Sequence, residues 1–342
     1  MMRQVVLQKP TAFSLVEVPR PEADPGQALV RVNRIGVCGT DLHAFTGRQP
    51  YFTYPRVLGH ELGGTVLTAP PNERGIHVGD RCAIEPYLNC GHCIACRQGK
   101  TNCCEHLKVL GIHTDGGMQP LLAVPVQNLH KSNTISVDQL ALVETLGIGA
   151  HAVERANLLK GETVLVIGVG PIGLSVVQFA KLEGVKLVVA DLSRQRLKLC
   201  SQIHGVEHLI DSGNTNLLQQ IKDANHGELP TVIFDATGNA RSMMGSFDLI
   251  APGGRIVFVS LVKDRISFED PEFHRREITL LATRNSTAQT FARVIRCLES
   301  GQIDTTPWIT RRIRLSDVPG QFSTLLNDDS LVKALVETSE DD

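Results

Sequence analysis

Between residues 38 and 61 the chain reads Cys38-Gly39-Thr40-Asp41-Leu42-His43, then a polar and aromatic loop, then Gly59-His60-Glu61. The two short motifs hold a thiol, two imidazoles, two carboxylates and a hydroxyl. Groups of these types bind a catalytic Zn²⁺ and carry a proton away from it. Either motif alone is ordinary, since an isolated cysteine packs as a small hydrophobe and Thr and Asp beside glycine are common in turns. What matters is whether the remaining chain supplies the other parts of such a site.

A second cysteine cluster follows. Cys90-Gly91-His92-Cys93-Ile94-Ala95-Cys96 is C-x₂-C-x₂-C, and Cys103 and Cys104 come after six and seven intervening residues. Four thiolates in a short loop suit a closed, tetrahedral structural zinc that contributes folding energy. On spacing alone either Cys103 or Cys104 completes the set. Ferredoxin motifs also open on C-x₂-C-x₂-C, but they continue with x₃-C-P, which is missing here.

Further on, Gly168-Val169-Gly170-Pro171-Ile172-Gly173 is G-x-G-x-x-G. It comes directly after the apolar run Val164-Leu165-Val166-Ile167 and opens a helical pattern. The first glycine allows a tight turn, the second lets a pyrophosphate approach the backbone, and the third lets helix and strand pack closely. The phosphates then face the helix N-terminus. Asp191 stands 18 residues beyond Gly173, at the end of the next strand, where a carboxylate binds ribose hydroxyls and repels a 2′-phosphate. NAD is therefore expected over NADP, with Arg194 and Arg196 nearby as the opposing charges.

The elements that must position these groups fall into two textures. From Gln4 to about Val143, short alternating runs such as Leu29 to Ile35 are separated by Gly, Pro, Asn and Asp, which predicts β-structure. From Lys160 onward strands and helices alternate, with strands expected at Val164–Ile167, Lys186–Ala190, His208–Ile210, Val232–Phe234, Arg255–Ser260 and Ile278–Ala282. That order predicts an α/β fold with a doubly wound parallel sheet. The expected domains are 1–146, 147–285 and a return to the first over 286–342, with a zinc lobe near 88–106.

Composition narrows the function classes. A chain of 342 residues with 42% hydrophobic and 20% charged residues is globular, not disordered. A formal net charge of −2 without a run of Lys or Arg gives nucleic acid no basic face. The start, Met1-Met2-Arg3-Gln4, has no apolar h-region after it, so no signal peptide is expected. Nine cysteines then point to metal or redox chemistry in a reducing, cytoplasmic compartment. Thr163 to Ala180 is 18 residues without a charge, long enough for a membrane span, but its three glycines and Pro171 favour the nucleotide turn. The acidic end Glu340-Asp341-Asp342 is expected to fray.

In this order the three features resemble the zinc-dependent medium-chain alcohol dehydrogenases, over essentially the whole chain. The family signature G-H-E-x₂-G-x₅-G is met from Gly59 to Gly64, with Pro70 in place of the last glycine. Family spacing C-x₂-C-x₂-C-x₇-C selects Cys90, Cys93, Cys96 and Cys104 for structural zinc. The resemblance implies a β-rich GroES-like catalytic domain beside a Rossmann domain, and two zinc ions per chain with NAD. Within the family the chain is similar to the polyol, threonine and sugar-acid branch, where Cys38, His60 and Glu144 match the catalytic zinc ligands and Glu61 is an alternative one. Thr145 follows Glu144 where proline is usual.

Further roles are implied by the same resemblance. Thr40 and His43 match a proton relay, and Asp41 matches the carboxylate that hydrogen-bonds the far nitrogen of His60. Arg284 matches a position contacting cofactor and substrate, and His113 a pocket position. From the residues themselves, Thr237-Gly238 sits at a strand's carboxyl end, where ligands lie in open sheets, Arg196 lies near the nucleotide turn as a cofactor contact, and Arg284 or Arg48 offers a sugar-acid carboxylate a fork-shaped donor set. The stretches Tyr54 to Glu61, Gly111 to Gly117 and Asp270 to His274 resemble L-galactonate or L-gulonate 5-dehydrogenases, although Gln119-Pro120-Leu121 departs from their pattern. This implies oxidation of a secondary hydroxyl on a sugar acid or polyol, in a homodimer or homotetramer. Threonine 3-dehydrogenase and sorbitol-type activity are the alternatives, and a cofactor-binding regulatory scaffold is the non-enzyme one.

Overall fold

The computed structural model describes residues 1–49, 52–213 and 216–339; the acidic end at 340–342 lies outside them. The chain divides into two compact units, Met1–Glu144 with Thr287–Asp342, and Thr145–Ser286.

Alternation in the sequence builds the first unit. Its main sheet runs in the order Leu129–Lys131, Arg81–Ile84, Glu61–Thr68, Gln27–Val37, Lys333–Glu337, Ile309–Arg314, and Leu121–Pro125 also pairs with Gln27–Val37. In the strand Gln27–Val37, Val30 and Val32 are fully buried while Arg31 and Asn33 reach toward solvent. That is the period-two signature of one buried face. A register shift between Val32 and Arg34 then moves burial to odd positions, so Ile35 and Val37 point inward. Each such aliphatic side chain contributes on the order of 1.5–3 kcal/mol by leaving water.

Register decides what meets at the end of this sheet. Gly36 lies opposite Glu61 on one side, and Val37 lies opposite Ala334 on the other. Cys38, the pair His60-Glu61 and Lys333 are therefore gathered at one edge from three neighbouring strands. A slip of one residue would turn each side chain to the opposite face.

The four-cysteine loop leaves this unit between two short strands. Tyr87–Leu88 pairs antiparallel with Lys108–Val109, which closes the base of the lobe.

In the second unit six described strands pair in parallel, in the order His208–Asp211, Lys186–Asp191, Thr163–Ile167, Val232–Asp235, Arg255–Phe258, Thr279–Ala282. Order 3-2-1-4-5-6 is the Rossmann arrangement, with its crevice where the winding reverses. Every residue of Thr163–Ile167 is buried, as expected for a strand covered on both faces. The uncharged run Thr163 to Ala180 is divided between this strand and the helix Pro171–Leu182. No helix among the described residues is long and apolar enough to cross a membrane.

The helix Arg194–His204 ends on Gly205 at φ +63°. His204 is buried, and Lys181 Nζ donates to its carbonyl at 2.7 Å. Burial and the Lys181 cation push the His204 imidazole down to about 4. Because the unfolded chain takes up this proton first, the contribution is complete above pH 6.5 and is lost as pH falls from there toward 4. The loss is about 3 kcal/mol. Denaturant unfolding between pH 4 and 7 should register it, and His204→Gln should flatten the slope; an equally steep slope in the variant would count against the assignment.

Candidate active site and metal centres

Cys38 caps the short helix Gly39–Phe45. Asp41 sits in the first turn of that helix, and its Oδ2 accepts the Cys38 N–H at 2.9 Å. The cap fixes the direction of the Cys38 side chain and buries Asp41 almost completely. Asp41 Oδ1 then faces His60 Nδ1 at 3.7 Å. The hydrogen bond expected between them is not closed at that distance, and neither atom has another partner.

One ligand atom each from Cys38, His60 and Glu61 lies within 4.8 Å of the other two. Sulfur, imidazole and carboxylate, three protein donors, match the ligand count of an open zinc site. Electrostatics agree. Burial lifts the Asp41 carboxyl above its ordinary range. Burial acts downward on His60, yet Asp41 and Cys38 outweigh it and hold the imidazole well above 6.5. Without a cation the cluster retains protons, and a divalent ion is what would displace them. Glu144 is buried close by but is not one of the three converging groups. Its Oε1 accepts from the Tyr87 hydroxyl.

Lys333 completes the cluster, and it has no place among the sequence-derived candidates. It is 2% exposed, with Nζ donating to Glu61 Oε1 and to the Val37 carbonyl at 3.3 Å. Burial acts downward on the ammonium, but Glu61, Cys38 and Glu144 hold it above its ordinary value. Glu61 can take this position only because residue 36 is glycine: a Cβ there would stand 2.1 Å from Glu61 Oε2. A lysine inside the apolar run Leu331-Val332-Lys333-Ala334-Leu335 is the signal that marks it, since buried lysines are nearly always paired.

In the lobe, Cys90, Cys93, Cys96 and Cys104 converge in the same way, and Cys103 is exposed. Backbone N–H groups point at the sulfurs: Cys90 N and His106 N approach Cys104 Sγ at 3.3 Å, and Cys93 N approaches Cys90 Sγ at 3.4 Å. Backbone donors, led by the Cys96 N–H, draw the Cys93 thiol down to about 6, while burial pushes Cys104 up to about 11. Four adjacent thiols ionise together only around a cation, so the set fits closed structural zinc.

In the second unit the three glycines of the nucleotide turn have three different surroundings. Gly168 holds φ +85° against Ala236 and Thr237, and a Cβ on Gly173 would strike the Gly168 carbonyl at 1.8 Å. Gly170 is open, with Arg196 Nη1 as the nearest atom at 3.9 Å, so a phosphate can approach its backbone. Pro171 is the first residue of the helix behind it, and Ile172 follows. Asp191 accepts Val169 N–H and Ser193 N–H, each at 2.7 Å, which ties the strand end to the turn. Asp235, fully buried, accepts both the N–H and the hydroxyl of Thr237 and so orders the Thr237-Gly238 loop.

The remaining expected residues are dispersed over the two units. Thr40 and His43 are three apart on one helix, hence on one face, with Thr40 half-buried and His43 exposed. Arg48 is exposed and donates from Nε to Thr46 Oγ1 at 3.0 Å. His113 Nδ1 accepts Val109 N–H at 3.1 Å, which leaves the proton on Nε2. Arg284 is exposed just past the strand Thr279–Ala282.

Two family models match the chain, an alcohol dehydrogenase GroES-like domain over residues 24–134 and a zinc-binding dehydrogenase over 171–300. Over 98% of both chains it is 37% identical to the L-galactonate-5-dehydrogenase of Escherichia coli K12. The chain belongs to the zinc-type medium-chain alcohol dehydrogenase family. Another relative, L-threonine 3-dehydrogenase of Pyrococcus abyssi, is 30% identical over 88% of both chains. A crystal structure of the alcohol dehydrogenase RspB from E. coli CFT073 with NADH superposes at TM-score 0.92, with 30% identity and coverage of 98% of this chain and 99% of that one. Membership makes this alcohol dehydrogenase an oxidoreductase acting on CH–OH groups, with zinc as its metal.

Two outcomes follow for this alcohol dehydrogenase. Cys104→Ser should remove one zinc per chain and lower the thermal midpoint, whereas Cys103→Ser should leave both unchanged in a paired metal and melting measurement. Lys333→Met leaves Glu61 as an uncompensated buried charge and should destabilise the metal-free protein by about 3–5 kcal/mol. Adding Glu61→Gln should recover part of that loss; no recovery in the double variant would mean that the pair is not coupled.

Proposed function

We propose that this chain oxidises a secondary hydroxyl of a sugar acid or polyol with NAD, and that L-galactonate or L-gulonate, at C5, is its substrate. The observation that carries the reading is the carboxylate-bearing ligand set Cys38, His60 and Glu61, with Glu144 beside it, in a chain 37% identical to an L-galactonate-5-dehydrogenase along its whole length. The threonine reading draws support from the Pyrococcus relative, and its substrate would bring an ammonium as well as a carboxylate.

In this reading Cys38, His60 and Glu61 hold the catalytic zinc, and Cys90, Cys93, Cys96 and Cys104 hold the structural one. Zinc at an open site supplies Lewis acidity that makes a substrate hydroxyl easier to deprotonate. Gly168, Gly170, Gly173 and Asp191, with Thr237, Gly238, Arg196 and Arg284 contributing, would hold NAD, which would supply the hydride acceptor. The protein's own part is to orient the substrate and move its proton. Thr40 would accept the hydroxyl proton while passing its own on toward His43, which, exposed on the same helix face, delivers it to water. Asp41 faces the far nitrogen of His60 and fixes its tautomer. Arg48, Arg284 and His113 are the donors suited to a substrate carboxylate and hydroxyls, the arginines offering a fork that matches a carboxylate.

All nine cysteines are unbridged, which supports work in the cytoplasm. The edge strand Thr279–Ala282 exposes Leu280, and pairing of such an edge between copies would cover it, giving a homodimer or homotetramer.

An NAD⁺-reduction screen over L-galactonate, L-gulonate, hexitols and L-threonine tests the substrate. The sugar acids should give the highest kcat/KM, and threonine in first place would replace this reading by the alternative. NAD⁺ should exceed NADP⁺ in kcat/KM. His43→Ala should slow oxidation roughly ten- to a hundredfold near neutral pH and much less in alkaline buffer; an unchanged pH–rate profile would take His43 out of the relay.

A further inference from the structure

Glu144 is the second residue of the helix Val143–Ala156 and is 5% exposed. His60 and Glu144 are near enough that each biases the other's protonation. Even so, Glu144 stands outside the converging group of Cys38, His60 and Glu61. What holds it there is the Tyr87 hydroxyl, which donates to Glu144 Oε1 from a ring that is itself buried.

Tyr87 cannot follow Glu144 inward, because its own position is determined by a buried scaffold. The side-chain amide of Asn128 donates to the Tyr87 carbonyl at 3.1 Å and to the Glu85 carbonyl at 3.0 Å. Glu85 N returns a bond to the Asn128 carbonyl at 2.8 Å, and Glu85 Oε2 meets His130 Nε2 at 2.8 Å. Phe291 lies edge-on to the Tyr87 ring at 6.3 Å and tilted against His130 at 4.9 Å. The strand Tyr87–Leu88 is also the base of the four-cysteine lobe.

We propose that Tyr87 is a positioning residue that holds Glu144 back from the catalytic metal set, so that Glu144 is a reserve ligand and the fourth position stays open to substrate. A buried carboxylate with one oxygen engaged by a neutral O–H donor is less available to a cation than a free one. Hydrogen bonds to charged acceptors correspond to roughly ten- to a hundredfold in an equilibrium, so the tether decides whether Glu144 or substrate fills that position. This rests on the assignment of zinc to Cys38, His60 and Glu61.

The test is Tyr87→Phe, which keeps the ring against Phe291 and deletes only the hydroxyl. With Glu144 released onto the metal, zinc loss from the catalytic site to a chelator should slow by about tenfold or more. The visible d–d bands of the cobalt-substituted site should shift, and KM should rise because the carboxylate competes with substrate. Adding Glu144→Gln should cancel all three effects. Glu144→Gln alone should leave the chelation rate of the wild type unchanged. Unaltered cobalt bands and chelation rates in Tyr87→Phe, faster zinc loss in that variant, or rapid zinc loss in Glu144→Gln alone would each overturn the proposal. Zinc content keeps the underlying assignment separate: two zinc ions per wild-type chain, falling to one in Cys38→Ser, uphold it whatever Tyr87→Phe does, and a wild type holding only the lobe zinc would end both.

Discussion

A buried ammonium against a buried carboxylate governs the catalytic edge of this protein. Lys333 and Glu61 are both shielded from water, in a place where three further acidic groups, Cys38, Asp41 and Glu144, lie near. Removing that many ionisable groups from water is costly unless opposite charges compensate them. Lys333 and the imidazole of His60, held well above 6.5, supply positive charge from the protein, and a divalent ion at this cluster would replace the imidazole proton. A metal ion held there would tie the integrity of the site to its chemistry.

The sheet makes that compensation available. Gln27–Val37 is central, Glu61–Thr68 is its neighbour on one side and Lys333–Glu337 its neighbour on the other. Antiparallel register delivers the starts of the outer strands to the end of the central one. Gly36 leaves the space that Glu61 occupies, and the cap at Cys38 turns the thiol toward it. Apart from the cap, none of these contacts is local, and together they hold four reactive groups at the ends of adjoining strands. Rigid positioning of this kind is what a metal site requires of its surroundings.

The two zinc-type donor sets differ in a way that follows from their backbones. In the lobe every ligand is a thiol from one short loop, and N–H groups of the same loop point at the sulfurs, so the site closes on itself. At the sheet edge the donors are mixed and come from separate strands, three protein groups in place of four, which is the pattern of an open zinc site. The lobe and the sheet edge are linked through Tyr87, whose strand is the base of the first and whose hydroxyl reaches Glu144 beside the second.

Much of this was legible from residue order alone. Ligand spacings, the nucleotide turn and the period of apolar residues are local properties, each imposed by a loop, a helix start or a strand within a few residues. Cys38, His60, Cys90, Cys93, Cys96, the G-x-G-x-x-G glycines and the two strand textures are of that kind, whereas Cys104 over Cys103 came from resemblance. Glu144 was expected from resemblance, but its bond to Tyr87 and its place outside the converging three were not, and Asp41 lies 3.7 Å from His60 where a hydrogen bond was expected. Lys333 is marked in the sequence as buried by the apolar run around it, but its partner is not. It is 272 positions from Glu61, and only strand order and register, which depend on the packing of the whole sheet, could bring an ammonium to that carboxylate.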